Sequence, residues 1–315
     1  MDRIYVMGAG AVGAYFGALL ARAKFDVTFI TRGQNLVHFR KNGVRVRSMK
    51  GDFDIYPIKI YESLVGLPEA DFILFTVKSY DTEEAAQAIK SAVGKNTTVL
   101  TIQNGIDNAG KISSVIGPER VLPGLTLVGV SVDKQGFVRH KDKGEINFGE
   151  WSGEITGRVT AINKIFKTSG IPSFNAPDIR KAMWKKFLWN CTINIPTAVC
   201  NLPFNRFHEC PESAQILSAL ILEVVNVGNK EGVILTPKDC ADVLESGKSF
   251  GAYVSSTQRD VRIRKRKLEF ESFVGTVVRL ASKHKISVPV NETLYALMKA
   301  IEYDIINYSD EPTVE

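Results

Sequence analysis

Seven residues into the chain, a glycine-rich turn separates a strand-like run from a helix-like one: RIYVM, then GAGAVG, then AYFGALLA. Gly8, Gly10 and Gly13 have the spacing GxGxxG, and few folds place that spacing between a strand and a helix. There Gly8 permits the tight turn, Gly10 lets a pyrophosphate approach the backbone, and Gly13 lets the helix lie close on the strand, with phosphate at the helix N-terminus. A glycine turn can also serve packing alone. Its position favours a dinucleotide, with Gly8, Ala9, Gly10, Ala11, Val12 and Gly13 as the cofactor-binding stretch.

The chain beyond this turn alternates in the same sense. Strand-like DVTFIT, FILFTV and TTVLTI are separated by helical patterns over 11–24, 34–42 and 82–92, which is α/β order. Beyond residue 118 the runs VLPGLTLVGVSVD, GFVRH and GEINFGE predict antiparallel strands extending the same sheet, followed by a helix near 155–169 and the short run IPSF. From Asp178 the period is helical, over 178–195, 213–231, 239–258, 266–284 and 291–305. The expected division therefore lies near Ala176 and Pro177, giving an α/β domain over 1–176 and an all-helical domain over 177–315. The tail from Asn307 is polar and acidic and is expected to fray.

At 315 residues, with 44% hydrophobic and 23% charged, the chain can bury two cores, which excludes global disorder. No signal peptide is expected from MDRIYVMGAG, and no apolar run approaches the roughly 20 residues of a membrane helix. Cys191, Cys200, Cys210 and Cys240 form no CxxC pair and neighbour no histidine cluster, so neither metal nor a disulfide framework is expected, and a reducing cytoplasm fits. The net charge of +6 raises the question of nucleic acid. Its densest basic run, RDVRIRKRK at 259–267, carries no aromatic residue to stack on bases, so none is expected.

The strand end Thr31-Arg32-Gly33 offers a guanidinium where an NAD-binding chain usually offers a carboxylate. A guanidinium suits a 2′-phosphate, which favours NADPH over NADH, the alternative being a surface arginine without a role. Lys78 and Asn104 follow two later strands, at the carboxyl ends where ligands of such sheets bind; Asn104-Gly105 also reads as a simple turn.

In WKKFLWNCTIN, 184–194, apolar residues surround the helix while Lys186, Asn190 and Asn194 recur at i, i+4 and i+8 along one stripe. Either other side chains satisfy that stripe or a ligand does. In AYVSSTQRD, Ser255 and Ser256 can hydrogen-bond an anion. Glu269 falls by helical period at the margin of the core, where pairing with a neighbouring basic residue is the plain alternative.

Together these segments resemble the ketopantoate reductase family, the 2-dehydropantoate 2-reductases. The resemblance rests on GxGAVG at 8–13, TVK at 76–78, QNG at 103–105, WKKFLWNCTIN at 184–194, SSTQRD at 255–260 and LEFESFVG at 268–275, and it covers nearly the whole chain. It implies a Rossmann domain followed by a helical one, NADPH and substrate in the cleft between them, and reduction of the 2-oxo group of ketopantoate to pantoate. It implies that Lys186 is the catalytic lysine and general acid. Glu269 is then the substrate-binding glutamate, counted among the catalytic and cofactor-contacting residues. Asn190, Asn194, Asn104 and Ser256 are implied to hold the substrate and Asn104 to stand on the nicotinamide side, while Lys78 and Arg32 are expected cofactor contacts from their places at strand ends. Its partner is then a small 2-oxo acid, and a homodimer is the assembly open to it. The chain departs from the pattern at Asn194-Ile195-Pro196, where the helix is expected to break one residue later than usual, in a longer RIRKRK run, and at Tyr253. A reductase of another 2-oxo acid or an opine-forming enzyme, and from a different class an NADPH-sensing regulator, are the competing functions.

Overall fold

The computed structural model describes residues 1–133, 136–249, 254–263 and 267–308, and the chain divides into two compact units, Met1–Ala182 and Met183–Glu315. In the first, β1 (Arg3–Met7), α1 (Ala11–Arg22), β2 (Asp26–Ile30) and α2 (Gly33–Asn42) are followed by three short strands, β3 (Val44–Ser48), β4 (Phe53–Ile55) and β5 (Lys59–Tyr61). Then come β6 (Ala70–Phe75), α3 (Thr82–Ile89), β7 (Val93–Thr101), α4 (Asn108–Ile116), β8 (Val121–Val132), β9 (Val138–Phe148), α5 (Gly157–Thr168) and β10 (Ser173–Asn175). The strands form one mixed sheet in the order β4-β3-β9-β8-β7-β6-β1-β2-β5, with β10 beside β9.

Strand alternation puts a different core on each face. Ile4 and Val6 of β1, with Phe72 and Leu74 of β6, pack with Phe16 of α1 and Phe166 of α5. Tyr5, Ile73 and Phe75 join Ala86 and Ile89 of α3 and Ile112 of α4. Strand order reverses at β1, whose neighbours are β2 on one side and β6 on the other, both parallel to it. Such a reversal opens a crevice at the carboxyl ends of the strands.

The antiparallel extension is present as β8 and β9. GFVRH and GEINFGE, expected as separate strands, are one strand, because Lys143 and Gly144 with positive φ sit at a register shift instead of forming a turn. Strands β3 to β5 and helix α4 were not predicted by the sequence pattern.

The second unit is helical among the described residues. The unit division falls inside α6 (Ile179–Trp189), six residues beyond the sequence boundary at 176. Next come a π-helical turn, Asn190–Asn194, then α7 (Ile195–Cys200), α8 (Phe204–Glu209), α9 (Pro211–Lys230), α10 (Pro237–Ser249), α11 (Ser256–Arg262), α12 (Val274–His284) and α13 (Pro289–Asn307). Glu223 of α9 ties down the start of α13, accepting from the backbone N–H groups of Val290 and Asn291 at 2.9 Å each.

Three helical expectations need correcting. The run 239–258 is not one helix: α10 ends at Ser249, and α11 begins afresh where Ser255 accepts from the N–H of Gln258 at 3.0 Å. The run 266–284 begins with a 3-10 turn, Glu269–Ser272, and Phe273 (φ −118°, ψ −102°) separates it from α12. No break occurs at Pro196; the helix widens into the π turn and continues as α7. Tyr253, the centre of the RIRKRK run and the acidic tail lie outside the described residues.

Candidate active site

The glycine loop is pinned from both sides. Gly8 and Ala9 donate to the carbonyl of Ile30 at the end of β2, at 2.9 and 3.0 Å. Opposite, the Thr76 hydroxyl reaches the carbonyls of Gly8 and Met7, at 2.9 and 3.1 Å. Gly8 has φ +89°, and a Cβ on it would lie 2.6 Å from the backbone nitrogen of Val77. A Cβ on Gly13 would lie 2.4 Å from Thr76 Oγ1 and 2.7 Å from the Gly8 carbonyl. The protein itself therefore requires these two glycines.

Gly10 differs. A Cβ there would meet only the Gly8 carbonyl, at 3.9 Å, so the protein leaves open the direction from which a ligand would approach. Gly10 is the N-cap of α1 without a capping side chain, and the first turn carries no acidic residue. The N–H groups of Ala11, Val12 and Gly13 have no acceptor within the helix and form, with the helix dipole, an anion-binding end. These residues fit a dinucleotide pyrophosphate.

Arg32 precedes α2 at the end of β2, more than half exposed, and its Nη1 pairs with Glu84 Oε1 of α3 at 2.6 Å. It is thus neither without a partner nor buried. Lys78 stands three residues past β6, and Asn104 three past β7, where Gly105 turns the chain at φ +96°. Both side chains are partly accessible.

In the second unit, Lys186 lies in the last turn of α6. Burial pushes its ammonium down to about 8, while the nearby Glu269 carboxylate works in the opposite direction. Part of the lysine's surface stays accessible, so the burial bears on the amine rather than on the whole side chain. Glu269 is only 8% exposed, deeper than the helical period predicts. Its backbone belongs to the 3-10 turn, so that period does not govern it.

Asn190 and Asn194, each 3% exposed, meet at 2.8 Å, Nδ2 of Asn194 donating to Oδ1 of Asn190. Asn190 Nδ2 and Asn194 Oδ1 are buried without a hydrogen-bond partner. Buried carboxamides left half satisfied are uncommon and mark a place where a ligand's polar groups would complete them. The π turn that carries them is held by two threonines. Thr192 donates to the carbonyl of Leu188 at 2.8 Å, and Thr197 to that of Ile193 at 2.7 Å. Ser256 opens α11, which packs against α7 and the π turn. Of the serine pair, Ser255 is spent on the helix cap and Ser256 stays partly accessible.

Residues 4–153 match the family model of ketopantoate reductase PanE/ApbA, and residues 178–302 match that of its C-terminal domain. The chain belongs to the ketopantoate reductase family. It is 30% identical over 306 residues to the 2-dehydropantoate 2-reductase of Halobacterium salinarum, covering 96% of this chain and 99% of that one. The PanE/ApbA family ketopantoate reductase solved from Ralstonia eutropha JMP134 superposes with a TM-score of 0.90 at 30% identity, covering 96% of this chain and 99% of that chain. A D-mandelate dehydrogenase solved with NADH and anilino(oxo)acetate gives a TM-score of 0.88 at 20% identity, over 96% of this chain and 99% of its own, a likeness of fold.

As a ketopantoate reductase family member the chain is an oxidoreductase, and its two units carry different parts of the predicted set. Gly8 to Gly13, Arg32, Lys78 and Asn104 lie in the first, and Lys186, Asn190, Asn194, Ser256 and Glu269 in the second. Sequence reading quoted Thr76 only as part of TVK, with no role, and missed Thr192 and Thr197. Thr192 and Thr197 were legible only as hydroxyls four residues after a carbonyl on a helix, a weak signal.

Proposed function

We propose that the protein reduces the 2-oxo group of 2-dehydropantoate to the alcohol of pantoate, with NADPH as reductant. The observation that carries this reading is the buried, half-satisfied Asn190–Asn194 pair, which follows Lys186 at steps of four along one continuous helical segment, with the Glu269 carboxylate near enough to favour the charged form of that lysine. A regulator without chemistry has no need of a buried, tuned ammonium.

When bound, the dinucleotide supplies the hydride that the C2 carbon accepts. The α1 terminus holds its pyrophosphate, and Arg32 exchanges Glu84 for the 2′-phosphate, at little cost because an exposed ion pair contributes about 0 to 1 kcal/mol. As the C2 carbonyl becomes an alkoxide, Lys186 gives it a proton from Nζ. An amine near 8 is mostly protonated at neutral pH yet gives up its proton more readily than an ordinary lysine. Glu269 favours the charged form of Lys186 before transfer and receives the hydroxyl end of the substrate. Asn190 Nδ2 and Asn194 Oδ1 supply a donor and an acceptor for its other polar groups, with Ser256 completing the hold within the second unit. The four cysteines are free thiols, which suits the cytoplasm.

The test is oxidation of NADPH, and separately of NADH, against a panel of 2-oxo acids that includes 2-dehydropantoate. The highest kcat/KM is expected for 2-dehydropantoate with NADPH. A clear preference for another 2-oxo acid, or for NADH, would overturn the corresponding half of the reading.

A further inference from the structure

Two sequence motifs that read as separate features, TVK at 76–78 and QNG at 103–105, are joined inside the first unit by one chain of hydrogen bonds running through buried side chains. Gln103 donates through Nε2 to the carbonyl of Val77 at 3.0 Å and to the Thr82 hydroxyl at 2.8 Å, while its Oε1 accepts from the Thr101 hydroxyl at 2.9 Å. The Thr82 oxygen lies 2.8 Å from the carbonyl of Ser79 and 2.9 Å from Oδ1 of Asn108. Asn108 in turn donates to the carbonyl of Asn104 at 2.5 Å. Thr82 is 1% exposed, Asn108 2% and Gln103 7%.

The pattern of partners is informative. Thr82, Gln103 and Asn108 reach the backbone of Val77, Ser79 and Asn104, so what they fix is the course of the loops after β6 and β7. Lys78 sits between the first two of those carbonyls. Thr82 is the hub, accepting from one side chain and having a single proton for two acceptors, so each member depends on its neighbours. The net gain from each satisfied buried hydrogen bond is small, although apolar residues here would leave the carbonyls of Val77, Ser79 and Asn104 without these donors. A satisfied polar chain adds a defined geometry instead.

We propose that Thr82, Gln103 and Asn108 are positioning residues that lock the loops after β6 and β7 into one preformed seat for the nicotinamide half of the dinucleotide. The inference rests on the dinucleotide reading above. The direction is set by the sheet. With the pyrophosphate at the β1–α1 loop and Arg32 marking the adenosine half beyond β2, the other half extends over β6 and β7, on the far side of β1.

The test compares binding of two compounds by calorimetry: NADPH, and 2′-phospho-ADP-ribose, which is the same molecule without its nicotinamide. Thr82→Val keeps the shape and removes the hydroxyl. It is expected to weaken NADPH about tenfold, the scale of leaving a buried group unpaired, and to leave the fragment within about twofold of wild type. Thr82→Ser should restore NADPH affinity. Gln103→Met, which conserves volume and removes the amide, serves where Thr82→Val does not fold and should give the same split. Equal losses for both compounds would show a structural network only, and no loss for either would also overturn the proposal. Wild-type protein that binds neither compound would instead overturn the dinucleotide reading itself. Wild-type protein that binds both equally well would show that no nicotinamide seat exists.

Discussion

Asn194 donates its side-chain amide to Asn190 at 2.8 Å, and the exchange leaves one buried donor on Asn190 and one buried acceptor on Asn194 unused. Within the fully buried π turn, the pair is self-satisfied on one side and open on the other.

Removing one member should therefore cost more stability than removing both. Asn194→Leu strands Asn190 and is expected to lose about 1 to 3 kcal/mol in urea unfolding, whereas Asn190→Leu with Asn194→Leu should return close to wild type. Both variants should show a raised KM for the oxo acid. An unchanged KM in the double variant would show that the open atoms do not face substrate.

The two adjacent lysines of α6 should separate cleanly. Lys185 is engaged elsewhere, 3.0 Å from Asp239, the residue that also accepts from the N–H and hydroxyl of Thr236 at the start of α10. Lys185→Ala should leave kcat near wild type and lower stability by about 0.2 to 1 kcal/mol. Lys186→Ala should lower kcat by roughly 100- to 10,000-fold with NADPH affinity preserved. Steady-state kinetics beside fluorescence titration of NADPH decides it, and matching kcat losses at both positions would contradict the assignment.

Because burial holds Lys186 down to about 8, below its ordinary 10.5, activity and stability should respond to alkali in opposite senses. Reduction needs the ammonium, so kcat should fall as pH rises through about 8. In the unfolded chain the amine keeps its proton to higher pH, so between about 8 and 10.5 the unfolded state binds more protons and this group's contribution to stability rises with pH. The urea midpoint of wild type relative to Lys186→Met should drift upward across that window, and a flat difference would mean an ordinary lysine.

Arg32 and Glu84 should act as opposed controls on cofactor choice. Arg32→Ala is expected to cost NADPH about 1.5 to 3 kcal/mol and NADH almost nothing, since only NADPH carries the 2′-phosphate. Glu84→Gln releases the guanidinium from its carboxylate and should tighten NADPH by a few-fold, more at low salt than at high. Dissociation constants for both cofactors at two ionic strengths check this, and equal losses with Arg32→Ala would remove the arginine from the cofactor site.

What could be read from sequence was local. The strand RIYVM, the turn glycines and the stripe Lys186, Asn190, Asn194 all lie within a few residues of one another, where period and spacing carry the physics. Glu269 shows the limit: helical period does not govern a segment whose backbone is a 3-10 turn, so the period does not disclose its burial. The ion pair of Arg32 with Glu84 spans 52 positions and the bond of Gln103 to Val77 spans 26, distances at which no local pattern operates. Val44 and Val46 alternate with Arg45 and Arg47 as a strand should, but a short, half-charged strand looks much like a loop, and its partners β4 and β9 are not visible in its own residues.

The π turn at Asn190–Asn194 has a further effect on counting. A single π turn accommodates one residue more than an α turn does, so α7 runs about 100° out of phase with α6. Steps of four from Lys186 identify neighbours on one face only as far as the bulge, and beyond it the count must be offset by one. Deleting Ile195 should let the segment relax to plain α-helix and swing everything from Pro196 onward around the axis. At this point in the chain, an insertion or deletion of one residue changes where side chains aim far more than how long the helix is.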